Sequence, residues 1–183
     1  MGQISEKKTG FHDNVLLSSA VKDSLGSARG GRPIYKEGAK GVKKDAFGEA
    51  LRSELRELAK QYSGRDVDDE THIQNIGGLA SRLKHAHEEI LKDGVLKFGV
   101  AAKALNVYLK HLWCGKPDLD IRPTHCPFDN NIIERLGLPE GYENRWTYAE
   151  EKDYREWVRR ARTAAEGDGH STLSDWELDK WQS

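Results

Sequence analysis

The sequence has few of the residue types and runs that would place it in a specialised class. Of its 183 residues, two are cysteine, one is methionine and five are proline. Two thiols, Cys114 and Cys126, are too few for the disulfide framework of a small secreted domain. No apolar run reaches the ~20 residues of a membrane-spanning helix, and the first residues lack the apolar region of a secretory signal. We therefore expect a cytoplasmic protein without membrane contact.

Motifs of the common enzyme classes are also missing. The chain has no GxSxG, HExxH, CxxC or GxGxxG pattern, no EF-hand loop and no GxxxxGK[ST] phosphate-binding loop. Acidic residues are plentiful, but no spacing among them singles out a metal pair. A non-enzymatic binding module is therefore the first functional hypothesis.

Charge is distributed unevenly although the net charge is only −1. Residues 1–44 carry nine basic and four acidic side chains, a net +5, which leaves −6 for residues 45–183. Within this basic part, residues 26–44 hold five glycines, and glycine loses much backbone entropy when it is ordered. We expect residues 1–44 to form a short helix over 15–25 and a mobile basic arm, with residues 45–183 as the helical domain.

Apolar residues recur at spacings of three and four in a series of segments, the period of an α-helix. The segments are 47–62, 71–90, 95–114, 127–136, 147–165 and 174–181. The segment 95–114 is apolar around most of its circumference, which is typical of the central helix of a bundle. No period-2 strand pattern is present. The predicted fold is all-α, a single helical bundle or orthogonal array of about six or seven helices.

Capping boxes predict where three of these helices begin. In this pattern a Ser or Thr and a Glu or Gln three residues later satisfy free backbone N–H groups. The three candidates are Thr71–Gln74, Thr147–Glu150 and Ser174–Glu177.

Six basic residues of the arm form the first candidate site. They are Arg29, Arg32, Lys36, Lys40, Lys43 and Lys44. Flexible positive charges suit sequence-independent contact with nucleic-acid phosphates, and Tyr35 offers one ring for base stacking. A solvated linker is the alternative.

A polar stripe on the apolar segment 95–114 is the second candidate site. Lys103, Asn106 and Lys110, with Gly99, fall within about 60° of one another on a helix. The stripe could bind a phosphate or carboxylate, or it could be the solvent-facing strip of a central helix. If Asp129 or Glu134 docks nearby, the lysines become ion-pair partners.

Four residues have the ligand types of a tetrahedral zinc site. They are His111, Cys114, His125 and Cys126. The first two are one helical turn apart, but the adjacent side chains of His125 and Cys126 diverge in extended chain. The alternative is structural packing, with Cys114 as a small hydrophobe.

The segment Arg82-Leu-Lys-His-Ala-His87 resembles the R-x4-6-H element of HEPN-type ribonucleases. The resemblance covers these six residues and the all-helical setting. It implies metal-independent RNA cleavage, usually across a dimer interface, in which the RNA 2′-OH attacks as internal nucleophile. His87 would act as general base, and Arg82 would stabilise the pentavalent phosphate. Leu83 departs from the family, which commonly has a polar residue there, and His87 lies on an apolar stripe where a core histidine would also sit.

Aromatic residues concentrate near the C-terminal end, where four of the five tryptophans fall in the last 38 residues. Trp146, Trp157, Trp176 and Trp181 could pack small helices onto the bundle, or one could anchor a partner. The sequence as a whole favours a small helical binding module whose partner is a protein or a nucleic acid. A HEPN-like ribonuclease, with a homodimer as its setting, is the alternative.

Overall fold

The computed structural model describes residues 2–26 and 34–181, and within these ranges it contains seven α-helices and no β-strand. The helices are α1 (Gly2–Gly26), α2 (Gly41–Ala59), α3 (Asp69–His87), α4 (Phe98–Gly115), α5 (Asn130–Arg135), α6 (Glu151–Gly167) and α7 (Leu173–Trp181). The predicted all-α class is therefore confirmed. None of the helices in the described ranges is both long and apolar enough to cross a bilayer.

Helix α4 is the central element, as its composition predicts. It contacts α1, α2, α3 and α6, and it buries residues on nearly every side. Its first turn meets the segment before α6 closely, because the Gly99 N–H donates to the carbonyl of Ala149 at 3.1 Å. A Cβ at Gly99 would collide with the Trp146 carbonyl oxygen, so this close approach requires glycine.

Helix α1 belongs to the same core as the other helices. Leu17, Ala20 and Val21 are buried, and the core continues to Trp176 in α7. The ordered body thus includes α1 in addition to the domain predicted for residues 45–183. Trp146, Trp157 and Trp176 are buried, whereas the side chain of Trp181 lies outside the described residues.

Part of the predicted mobile arm is held against the body. Ile34 is buried, the Lys36 N–H donates to the Ile90 carbonyl at 2.8 Å, and the Lys92 N–H donates to the Ile34 carbonyl at 2.8 Å. Lys43 and Lys44 already belong to α2. Residues 34–44 are therefore hydrogen-bonded to the body or lie at the start of α2, and the mobility of the arm stays a prediction. Arg29 and Arg32 lie outside the described residues.

Three helices start at other residues than the capping boxes predict. Helix α3 begins at Asp69, because the carboxylate of Asp68 accepts the Thr71 N–H at 2.8 Å. Helix α6 begins at Glu151, where Glu150 and Asp153 cap each other's backbone reciprocally. In both cases a carboxylate takes the role that the motif assigned to a threonine.

The third helix, α7, begins at Leu173 instead of after Ser174. The Thr172 hydroxyl accepts the Asp175 N–H at 3.1 Å and donates to the Asp175 carboxylate at 2.6 Å. Thr172 therefore caps α7, two residues before the predicted cap.

Candidate functional site

A continuous chain of buried hydrogen bonds crosses the centre of the molecule. Asn106 on α4 is its midpoint, and its carboxamide oxygen lies 3.0 Å from Nε2 of His72 on α3. The Asn106 Nδ2 donates to the hydroxyl of Tyr154 on α6 at 2.9 Å. On the other side of His72, Nδ1 lies 2.7 Å from the Tyr62 hydroxyl. All four side chains are buried, so four parts of the fold meet through polar contacts.

The chain continues from Tyr154 to the surface at Asp69. Nδ1 of the buried His125 lies 2.9 Å from the Tyr154 hydroxyl, and its Nε2 lies 3.2 Å from the carboxylate of Asp69. Asp69 also accepts from the guanidinium of Arg162, with 3.0 Å between Nε and Oδ2. At the opposite end, Asn75 donates to the Tyr62 hydroxyl at 3.1 Å.

The ionised Asp69 fixes the direction of every hydrogen bond in this chain. A carboxylate accepts only, so His125 donates from Nε2, and its unprotonated Nδ1 accepts from Tyr154. The Tyr154 oxygen then accepts from Asn106, whose carbonyl accepts from Nε2 of His72. The Nδ1 of His72 in turn accepts from Tyr62. This assignment satisfies each buried donor once and makes both imidazoles neutral Nε2–H tautomers.

Electrostatics agrees with this assignment. Burial lowers the pKa of His72 well below its usual value, and the nearby His125 lowers it further. Burial also lowers the pKa of His125, although the Asp69 carboxylate opposes the effect. Hydrogen bonds from His125 and Arg162 hold the pKa of Asp69 far below its usual range. The network therefore contains two neutral imidazoles and one surface carboxylate at neutral pH.

A groove of about 820 Å³ opens at the Asp69 end of the chain. Its walls come from residues 66–69, the loop 120–124, Arg162 and residues 171–175. The charges in it are largely paired with one another, since Arg162 binds Asp69 and Arg122 contacts both Asp66 and Asp120. The groove reaches the network only through Asp69, because His125 is fully buried.

The predicted polar stripe of α4 is split between two environments. Asn106 faces inward to the network, whereas Lys103 and Lys110 line a cleft on another side of the helix. In that cleft the Lys103 Nζ lies 3.8 Å from Asp129, and the Lys110 Nζ lies 2.6 Å from Glu177. The three residues therefore do not form one continuous surface. Although they lie within about 60° of one another around α4, Asn106 faces the core and the two lysines face the edge of a cleft. The ion pair expected if Asp129 docked nearby is present.

The predicted zinc set is not assembled in the structure. His111 donates to the carbonyl of Leu16 at 3.1 Å, Cys114 is exposed, and His125 belongs to the central network. Cys126 is fully buried, and burial raises the pKa of its thiol. Throughout the part of the chain that the structure describes, no three His, Cys, Asp or Glu side chains are placed to hold a metal ion. Cys114 and Cys126 are both free thiols.

Arg82 and His87 contact α2 at different places. The Arg82 guanidinium lies 2.8 Å from the carboxylate of Glu54. The half-buried His87 ring packs edge-on against Phe47, with 5.5 Å between ring centroids. Five residues along a helix turn a side chain by about 140°, so the two groups project in different directions from α3.

The sequence patterns do not predict the central network as a unit. Asn106 belongs to the predicted polar stripe and His125 to the predicted zinc set, whereas Tyr62, His72 and Tyr154 belong to no predicted site. A usable signal existed, because polar atoms on inward helix faces require partners. Their pairing across five segments of the chain depends on tertiary structure, which helical periodicity does not encode.

We predict that stability falls as the pH drops below neutrality because His72 and His125 have lowered pKa values in the folded state. The unfolded chain then binds more protons near pH 6.5 and below, so folding is penalised there and the full stabilisation is present above about pH 7. Each histidine contributes a slope of up to ~1.4 kcal/mol per pH unit. Urea unfolding between about pH 5 and 8 measures this slope.

Single variants separate the two contributions to this slope. The wild-type chain binds protons when it unfolds at acidic pH, and His72→Gln and His125→Gln should each lower that number by up to one. His85→Gln, at an exposed position outside the network, is the matched control. A free energy of unfolding that does not change between about pH 5 and 7 would contradict the neutral buried pair.

Comparison with known proteins gives no relatives from which a function could be taken. No protein-family model matches the chain, no curated protein matches it, and no solved structure matches it. The functional proposals below therefore rest on the residues and their geometry.

Proposed function

We propose that the chain is a nucleic-acid-binding module that contacts phosphates through a basic face. We define the basic face as Tyr35, Lys36, Lys40, Lys43 and Lys44. The described part of the arm hydrogen-bonds to residues 90–92, just after the end of α3, and this pairing supports one surface formed by these side chains. Arg29 and Arg32 precede these residues in the sequence and lie outside the described residues.

The N-terminal end of α2 is the observation that carries the proposal. Lys40 occupies the cap position without a side-chain cap bond, Lys43 and Lys44 follow at once, and the first turn has no acidic residue. Positive side chains at the positive end of the helix dipole cost roughly 0.3–1 kcal/mol each. A phosphate placed there would interact favourably with the lysines, the dipole and the free N–H groups.

The lysines of the basic face are held only weakly by the protein. Lys43 pairs with Glu89 at 3.4 Å with both side chains about half exposed, and such surface pairs contribute little. Lys36 reaches the Glu88 carbonyl at 3.4 Å. Lys44 lies over the Tyr35 ring, 5.4 Å from its centroid. If phosphate oxygens replaced these contacts, few polar groups of the protein would lose a strong hydrogen bond.

Replacement of the four lysines tests the proposal directly. Wild type should bind a fluorescein-labelled single-stranded RNA of about 20 nucleotides, and binding should weaken steeply between about 50 and 200 mM salt because counterions are released. The variant Lys36→Gln, Lys40→Gln, Lys43→Gln and Lys44→Gln should lose most of this affinity. Its salt slope should fall by roughly 2–3, at ~0.7 per phosphate contact. Fluorescence anisotropy measures both quantities.

A second quadruple variant has the same change in net charge at other exposed positions. Its substitutions are Lys8→Gln, Lys22→Gln, Lys60→Gln and Lys152→Gln. It should bind RNA like wild type if the basic face is the contact surface. If both variants lose the same RNA affinity, net charge and not the basic face is responsible. If the wild type does not bind RNA, the proposal is refuted.

A ribonuclease that uses His87 is the second candidate function, and the position of His87 favours it. The Phe47 ring packs against Tyr35 of the basic face at 5.7 Å and against His87 at 5.5 Å between centroids. RNA on the basic face would therefore pass beside the half-buried imidazole. Arg82 would have to exchange its ion pair with Glu54 for a phosphate.

Cleavage in the presence of EDTA tests this second function. A metal-independent enzyme should leave 2′,3′-cyclic phosphate ends on the labelled RNA, and both His87→Ala and Arg82→Ala should abolish the products. His85→Ala, two residues away and exposed, is the control for contaminating nuclease. A folded wild type that binds RNA without cutting it would eliminate the ribonuclease and leave the binding module intact.

A further inference from the structure

The geometry points to a binding site for a small monocarboxylate in the cleft between α1, α4 and α7, with the Lys103 ammonium as its anchor. We call this space the lysine cleft. It has a volume of about 500 Å³, within the ~300–1,000 Å³ usual for small-ligand sites. Its lining combines Lys103 and Lys110 with apolar surface of Val107, Pro127 and Leu178. The site is separate from the basic face of the proposed function.

Lys103 is the unusual group in the cleft. Its side chain is only 11% exposed, yet no acceptor among the described residues lies within hydrogen-bonding distance of its ammonium. The Lys103 Nζ lies 3.8 Å from Asp129 Oδ2 and 6.0 Å from the centroid of the Trp146 ring. An ammonium has three donors, and no hydrogen bond to an acceptor among the described residues uses any of those of Lys103. An anionic oxygen arriving through the cleft would supply the missing hydrogen bond.

Asp129 cannot easily close this gap itself. Its other carboxylate oxygen accepts the Ile132 N–H at 3.0 Å and thereby caps α5. Movement of the carboxylate toward Lys103 would weaken this cap, which is worth about 1 kcal/mol. The spacing between Lys103 and Asp129 is therefore maintained by the fold.

Lys110 lines the same cleft but differs from Lys103 because its ammonium has a close acceptor. Its ammonium lies 2.6 Å from the buried Glu177 carboxylate. Burial lowers the pKa of Lys103 and raises the pKa of Glu177. The hydrogen bond between Lys110 and the buried Glu177 is strong because little water surrounds it. Lys110 thus forms part of the wall, and Lys103 is the group that needs an acceptor.

The lining also defines the chemical class of the ligand. Asp23, Asp129 and Glu177 border the cleft, and they repel a phosphate or other polyanion more strongly than a single carboxylate. A single carboxylate needs only one ammonium. The apolar wall and the Trp146 side chain suit an aromatic or aliphatic body attached to that carboxylate. These features together favour a small apolar monocarboxylate.

The test uses 3-phenylpropionate as probe, with 3-phenylpropanamide as its neutral analogue and inorganic phosphate as the polyanion. Calorimetry and saturation-transfer NMR on the full chain should show 3-phenylpropionate binding in the millimolar range or tighter. The amide and phosphate should bind at least about tenfold more weakly. Lys103→Met should lose at least about tenfold in affinity for 3-phenylpropionate, whereas Lys152→Met on the exposed face of α6 should bind like wild type.

Asp129→Asn is the second variant, because asparagine keeps the helix cap while removing the competing charge. It should bind 3-phenylpropionate as tightly as wild type or more tightly. The proposal is overturned if Lys103→Met binds like wild type, if the amide binds as well as the acid, or if folded wild type binds no 3-phenylpropionate at about 20 mM. Unfolding curves of each variant confirm that the binding data come from folded protein.

Discussion

The side-chain amide of Asn106 is buried on the central helix, where it must find both a donor and an acceptor within the protein. His72 on α3 and Tyr154 on α6 fill these two requirements, and each of them is bonded in turn to another buried group. Removal of one partner would leave buried polar atoms unpaired at about 1–3 kcal/mol per group. The arrangement of α3, α4 and α6 is thus restricted by hydrogen-bond geometry in addition to apolar packing.

The polar residues of helix α4 face two different environments, the buried network and the lysine cleft. Asn106 and the network fix the inward face, while Lys103 and Lys110 place ammonium groups in the lysine cleft beside α1 and α7. The basic face uses other residues, where residues 34–36 pair with 90–92 and α2 begins at its lysine-bearing end. Besides the buried network, the protein thus has two surfaces with different charge. One is the basic face with its cluster of lysines, and the other is the lysine cleft, where the Lys103 ammonium has no hydrogen bond to a described residue.

Helical periodicity predicts the helices well, because burial of an apolar stripe is a local signal. Phe47, Leu51, Leu55 and Leu58 all lie in α2 and are buried, and the apolar segment 95–114 is the central α4. Helix starts were less predictable, since Asp68, Glu150 and Thr172 compete with the motif residues for the same N–H groups. The pairing of residues 34–36 with residues 90–92 and the hydrogen-bond chain from Tyr62 to Asp69 depend on contacts between distant segments.

The protonation states of His72 and His125 show whether the hydrogen-bond chain runs in the assigned direction. Long-range ¹H–¹⁵N NMR correlation of uniformly ¹⁵N-labelled protein at pH 7 distinguishes the Nε2–H tautomer, the Nδ1–H tautomer and the imidazolium ion. The directed hydrogen-bond chain from Tyr62 to Asp69 predicts that both rings are neutral and carry their proton on Nε2. An Nδ1–H tautomer at either residue, or an imidazolium signal from either, would contradict the chain and the polarity that Asp69 imposes on it.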